Sequence, residues 1–178
     1  MCLIAFALHA DPVCPLLIAA NRDEFLDRPT EGLHRWALAD GTHIVAGRDL
    51  RDGGTWLGLS PNGRVAMLTN VRQQQAGPGS RSRGELVTRW LQGHADDEQL
   101  AAAIDPAAYG GFNLVVGDFH RQRWSWLSNF ARRPFKVRVL TSKAPLPNCM
   151  SWTKTCAWAP PRVPLSMRPW SGASRSDA

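Results

Sequence analysis

Short apolar runs separated by turn residues fill the first 130 positions of this chain. Leu3-Ile4-Ala5-Phe6-Ala7-Leu8 reads as a buried strand over about 3–9, and Leu16-Leu17-Ile18-Ala19-Ala20 as a second. With Asp11-Pro12 as the turn between them, the two predict an antiparallel hairpin. It ends in a charged cluster, Asn21-Arg22-Asp23-Glu24, followed by Arg28-Pro29. A strand near His43–Ala46 precedes Asp52-Gly53-Gly54. Thr55–Leu59 and Val65–Asn70 then flank Pro61-Asn62-Gly63, a second hairpin with Asn-Gly chemistry at its tip. Ser82 with Glu85 three residues on predicts a capping box, and the helix behind it buries Leu86, Val87, Trp90 and Leu91. Another helix is expected from near Asp96, with Leu100, Ala103 and Ile104 as its apolar stripe. Pro106 and Gly110-Gly111 break the chain before a third hairpin, Phe112–Val116 with Arg123–Leu127. Neighbouring strands pair antiparallel and the helices come as a block, so the fold class is α+β, without internal repeats.

The character changes near residue 131. Residues 132–178 hold seven prolines, six serines and the tryptophans Trp152, Trp158 and Trp170, and no strand period lasts beyond Phe135–Leu140. The expectation is a folded domain over 1–131 and a poorly ordered basic tail over 132–178, since polar, proline-rich chain buries too little surface to fold.

Charge sharpens that division. The net +6 of the 178 residues is uneven: 132–178 carry nine Lys/Arg and one acid, whereas 1–131 carry twelve Arg and fourteen acids. The body is mildly acidic and the tail alone is basic, which argues for a solvated tail over a specific nucleic-acid surface. Cys2, Cys14, Cys149 and Cys156 form no CxxC pair, and the five histidines show no HExxH or CxxCH pattern. No metal site and no covalently attached haem is therefore expected. No secretory leader and no run of ~20 apolar residues is seen, so a cytoplasmic protein without a membrane span is expected. Nothing in the pattern sets an oligomeric state.

The candidate chemistry starts at the second residue. Methionine is trimmed before a small side chain, and cysteine is small enough. Trimming would give Cys2 a thiol and an α-amine on one carbon, a nucleophile with its own base. An α-amine titrates near ~8 and can accept a proton around neutral pH. The strand behind Cys2 would hold it on a rigid element. A disordered chain end is the plain alternative.

Several blocks carry a resemblance. Met1-Cys2-Leu3-Ile4, Ala20-Asn21-Arg22-Asp23-Glu24-Phe25 with Arg28-Pro29, Gly53–Gly58, Leu68-Thr69-Asn70, Arg83–Val87 and Gly111–Leu114 resemble the NRDE-motif family, also called the transport and Golgi organisation protein 2 family. The resemblance implies an Ntn-hydrolase-like αββα sandwich, two antiparallel sheets between helices. Animal members are linked to haem mobilisation and secretory-pathway organisation. Family members continue beyond a Gly-Leu-Ser-Asn block with further helices and strands. Leu127-Ser128-Asn129 fits the end of that block, but the downstream blocks are not recognisable in 132–178. The abrupt change points to a shifted or truncated reading frame and a sandwich incomplete at its C-terminus.

Within that resemblance Cys2 becomes the candidate nucleophile. Asp23 would orient its α-amine, and Arg22 would favour the thiolate or grip a substrate carboxylate. A local ion-pair knot is the rival reading of Arg22-Asp23-Glu24. Alternation along a strand sets Arg22 and Glu24 on one face and Asp23 on the other, so one acid should meet Cys2, with Asp23 favoured. Gly58–Asn70 also resembles the hairpin of choloylglycine-type hydrolases that delivers an oxyanion-hole asparagine, which makes Asn70 an oxyanion donor or, more plainly, a strand-end cap. Trp56 and Phe112 read as core rather than substrate wall, and Trp124 and Trp126, two apart on one strand face, as a packing pair with a ligand-facing pair as the alternative. Two functions follow: a cysteine amidohydrolase acting on the C–N bond of a small-molecule amide, or a non-enzymatic carrier of a hydrophobic ligand such as haem, with Cys2 or a lone histidine as axial contact.

Overall fold

A computed structural model describes residues 2–8, 13–14, 16–71 and 79–130, and the backbone of 136–140. The Asp11-Pro12 turn, Met1 and the three tail tryptophans lie outside the described residues. Strands β1 (Leu3–Leu8) and β2 (Leu16–Asn21) pair antiparallel, with Leu3 opposite Asn21 and Phe6 opposite Ile18. The second sheet has seven strands in chain order: β3 (Thr30–Ala37), β4 (His43–Asp49), β5 (Leu57–Leu59), β6 (Arg64–Asn70), β7 (Phe112–Asp118), β8 (Arg123–Ser128) and β9 (Lys136–Leu140). Every neighbouring pair in it is antiparallel. Helices α1 (Gly84–Leu91) and α2 (Asp97–Ala102) interrupt the meander between β6 and β7. Strand β9 falls inside the stretch read as tail from composition.

Side-chain alternation sorts the large sheet into two faces. Ala66 and Leu68 of β6 join Phe112, Leu114 and Val116 of β7 beneath Leu86, Val87, Trp90 and Leu91 of α1. Val65 and Met67 point the other way, toward Trp124 and the inward residues Ile4, Phe6 and Ile18 of the β1–β2 hairpin. The rings of Phe6 and Trp124 stack at 6.1 Å, and Phe119 meets Trp124 edge-on at 5.6 Å. The described residues thus form three layers: helices, the seven-stranded sheet, and the hairpin. The α+β class and the antiparallel sheets are as expected.

Three local expectations are corrected. Strand β3 was not legible: Thr30–Ala37 is a largely exposed edge strand with a bulge between Glu31 and His34, so it carries no apolar alternation. Ser82 and Glu85 do not form a capping box, because Arg83 is the N-cap of α1 and no side chain caps that end. Glu85 is drawn away by Tyr109, whose hydroxyl donates to it, and by Arg81 at 2.7 Å. The capping box belongs to α2, where Asp96 accepts from the Gln99 N–H at 2.8 Å and Gln99 returns the bond at 3.0 Å. Finally, α2 ends at Ala102, which leaves Ala103 exposed while Leu100 and Ile104 are buried.

Candidate functional site

Where the end of β2, the end of β6 and the start of α1 converge, the surface opens into a cleft of about 400 Å³. Cys2, Arg22, Glu24, Trp56, Asn70 and Arg83 are among its lining residues. Strand pairing brings Cys2 there, since Leu3 lies opposite Asn21. The Asn21 side chain tightens the pairing by accepting from the Leu3 N–H at 2.8 Å. The Asp23 N–H donates to Cys2 Sγ at 3.3 Å, and Sγ sits 3.6 Å from the Asp23 carbonyl oxygen. The thiol is therefore cradled by the backbone of the residue that follows Arg22.

Arg22 and Glu24 share the cleft wall and pair at 3.7 Å, which is the ion-pair knot expected as the rival reading. The Asp23 contacts to Cys2 described here run through its backbone. Met1, and with it the α-amine on which the base role depends, lies outside the described residues. Asn70 is the last residue of β6 and lines the same cleft as Cys2.

Trp56 is a correction. It was read as core, yet it is half-buried and its ring faces the cleft beneath Arg22, whose guanidinium lies 4.6 Å from the ring centroid. Gly47 makes room for it: a Cβ there would stand 2.8 Å from the ring. Phe112 and Trp124 are buried in the two cores, in line with packing roles, and Trp126 is half-buried.

The far wall is built by an arginine and two glycines. Arg28 donates from Nε to Asp49 at 2.7 Å and from Nη2 to Asp52 at 2.6 Å, which closes the turn after β4. Burial pushes the Asp49 carboxyl up, but Arg28 and the Arg51 N–H outweigh it and hold it below the ordinary carboxylate range. That turn presses Gly54 onto Gly84 at the start of α1. A Cβ on Gly54 would come within 2.8 Å of the Gly84 backbone.

Arg83 follows from this contact and was missed as a site residue. It is half-buried in the cleft wall, with Nη1 donating to the Gly111 carbonyl at 3.2 Å. Burial lowers its pKa; Glu24 and Cys2 pull the other way and Arg28 adds to the lowering, which puts all three within electrostatic reach. Its signal is the Arg83-Gly84-Glu85 block, which sequence alone ties to helix capping and to the family resemblance but to no site role. Among the described residues no three of His, Cys, Asp and Glu gather as a metal-binding set, and no helix is long and apolar enough to cross a membrane.

Residues 1–158 match the family described as Transport and Golgi organisation 2. The match passes the compositional change near 131 and takes in β9. The chain is 33% identical over 170 residues to a Transport and Golgi organization protein 2 homolog of Homo sapiens, covering 88% of this chain and 61% of the human protein. It is 31% identical to the Bos taurus homolog over the same shares. A Drosophila melanogaster Transport and Golgi organization protein 2 is 29% identical over 82% of this chain and 52% of its own length. The chain thus spans half to three fifths of the curated relatives it matches.

Proposed function

The chain belongs to the Transport and Golgi organisation 2 family, and from that premise we propose that it is an N-terminal-cysteine amidohydrolase of Ntn type. One observation carries the reading: Cys2 Sγ, held by the Asp23 backbone, lines the same cleft as the Asn70 amide. After loss of Met1, the α-amine of Cys2 takes the thiol proton and the thiolate attacks the amide carbon. Asn70 and backbone N–H groups hold the developing oxyanion. The C–N bond breaks, the leaving nitrogen takes the proton from the α-ammonium, and an acyl thioester remains on Cys2. Water, deprotonated by the same amine, adds to the thioester and releases the acid with a restored thiol. Asp23 orients the ammonium form, and Arg22 shapes the wall through Trp56.

Two measurements test this. Intact mass shows whether Met1 is removed; a retained methionine excludes the amine-assisted mechanism. Electrophile labelling read by peptide mapping compares Cys2 with the exposed Cys14. Faster labelling of Cys2 is expected, and equal rates would sink the activated nucleophile.

A carrier function for a hydrophobic ligand such as haem is less well supported. Haem needs apolar walls, whereas the described lining holds five arginines and three acids beside Cys2, its one candidate axial ligand. The fit to a large apolar macrocycle is poor.

A further inference from the structure

The charges around the cleft do not balance. Arg22 pairs with Glu24, Arg28 with both Asp49 and Asp52, and Arg81 with Glu85. Among the described residues Arg51 and Arg83 enter no ion pair. Five guanidinium groups thus meet the three carboxylates of the described lining and Glu85 behind it, an excess of positive charge. Arg51 is exposed, but Arg83 is half-buried in the cleft wall and uses one nitrogen on the Gly111 carbonyl. Among the described residues the rest of its planar fork has no carboxylate partner within ion-pair distance. A desolvated guanidinium is expensive unless an anion completes it. The start of α1, uncapped by any side chain, adds partial positive charge beside it.

We propose that Arg83 is the receptor for a carboxylate on the substrate, and that the amide cleaved at Cys2 carries that group on its acyl or amine part. The inference rests on Cys2 as the reacting residue. A single carboxylate matches the two-pronged geometry of one guanidinium. Arg22, the residue expected from sequence to grip a carboxylate, is already engaged by Glu24 and by the Trp56 ring. Glu24 acts on Arg83 only through space and has its ion pair with Arg22, while Asp49 and Asp52 are held by Arg28. Arg83 thereby selects anionic amides and places their carbonyl near the thiol, a positioning role separable from the chemical step.

The test is a pair of alkylating reagents of nearly equal size, iodoacetate and iodoacetamide, applied to the full chain. In both, Sγ displaces iodide, so only the carboxylate differs. Rates at Cys2 are read by peptide mapping and divided by those of the same peptide in the urea-unfolded chain. Folding is expected to favour iodoacetate about tenfold, the effect of one hydrogen-bonded charge, with saturation at high reagent. Arg83→Gln should bring the iodoacetate-to-iodoacetamide ratio back to its unfolded value, a ratio in which any change in thiolate fraction cancels, and Arg83→Lys should keep part of the preference. No preference in the wild type, or one that survives Arg83→Gln, overturns the proposal. Should Arg83→Gln fail to fold, the wild-type thermal midpoint decides: succinate should raise it more than succinamide does, and equal effects overturn the proposal. A Cys2 that reacts with neither reagent faster than in the unfolded chain removes the nucleophile instead, and the succinate comparison still judges the anion site.

Discussion

The two faces of the seven-stranded sheet are built to different standards. Under α1 the packing is closed: Leu86, Val87, Leu91, Phe112 and Leu114 are all fully buried. Under the β1–β2 hairpin only Val65, Met67 and Trp124 reach that state, and the hairpin residues against them are half-buried. Its outer side shows Leu3 at 68% and Leu17 at 61% exposure. Yet Cys2 begins this looser layer. Stability is concentrated on the helix side, whereas the candidate chemistry hangs from a hairpin with one covered face. The cleft lies at the seam, with its far wall taken from the start of α1.

The largest effect that could break this comparison is in the closed core. Phe112→Ala should destabilise by about 3–5 kcal/mol, the usual range for emptying a buried aromatic site. Urea unfolding followed by tryptophan fluorescence would read it. A loss below about 1 kcal/mol, the scale of a merely half-buried contact, would mean that the helix side is not where the stability sits.

Next comes the polar clamp that fastens α2 to the same face. Asp97 is buried, accepts from the Ser125 hydroxyl and pairs with Arg123 at 2.7 Å. Burial pushes its carboxyl up, but Ser125 and Arg123 outweigh that and hold it below the ordinary range. A depressed folded-state pKa gives stability that is complete above the unfolded value near ~3.9 and lost as pH falls through the folded one. Asp97→Ala should cost about 1–3 kcal/mol at neutral pH. The Arg123 arm is discounted within that figure because its side chain is 36% exposed. The difference from wild type should shrink in unfolding curves taken on the acid side of that window. A gap that stays constant would assign the clamp to packing alone.

Legibility in the sequence followed the same division. Strands β1, β2, β6, β7 and β8 and the apolar face of α1 could be read because each packs a regular stripe against a core. Strand β3 could not, since an exposed edge strand has no stripe to show. Trp56 was read as core on its residue type, but Gly47 and Arg22, distant in sequence, turn its ring to the cleft. Cys2, Arg22 and Asn70 were all found as candidates, and the structure sets them around one cavity. Arg83 escaped because its role depends on Gly54 meeting Gly84, a tertiary contact that no local spacing encodes. Asn129 escaped similarly: its side chain accepts from the Phe112 N–H at 2.8 Å and donates to the carbonyls of Pro106, Tyr109 and Gly110. It staples the loop before β7, a job invisible in the Leu-Ser-Asn text.

A smaller effect is expected on the looser face. Ile18 of β2 is half-buried against Val65, Met67 and Trp124. Ile18→Ala should cost about 1–2 kcal/mol, roughly half of a full burial site, and also slow Cys2 labelling, because the strand that aligns Asn21 with Leu3 loses its anchor. A stability loss as large as that of Phe112→Ala would erase the contrast between the faces.

The smallest effect on stability should accompany the largest on chemistry. Cys2→Ser exchanges one sulfur at a partly exposed position and keeps an acceptor for the Asp23 N–H. Unfolding free energy should change by no more than about 0.5 kcal/mol, as for substitutions away from a core. Alkylation at residue 2 should disappear, and turnover of an anionic amide should fall far below the wild-type rate. Asn70→Ala gives the matching control: labelling at Cys2 persists, while turnover drops by about 10²–10³, the range for losing one oxyanion donor. If Cys2→Ser instead unfolds the hairpin, the thiol serves as a structural pin between β1 and the Asp23 backbone. The cleft would then have a shaped, positively charged wall and no nucleophile.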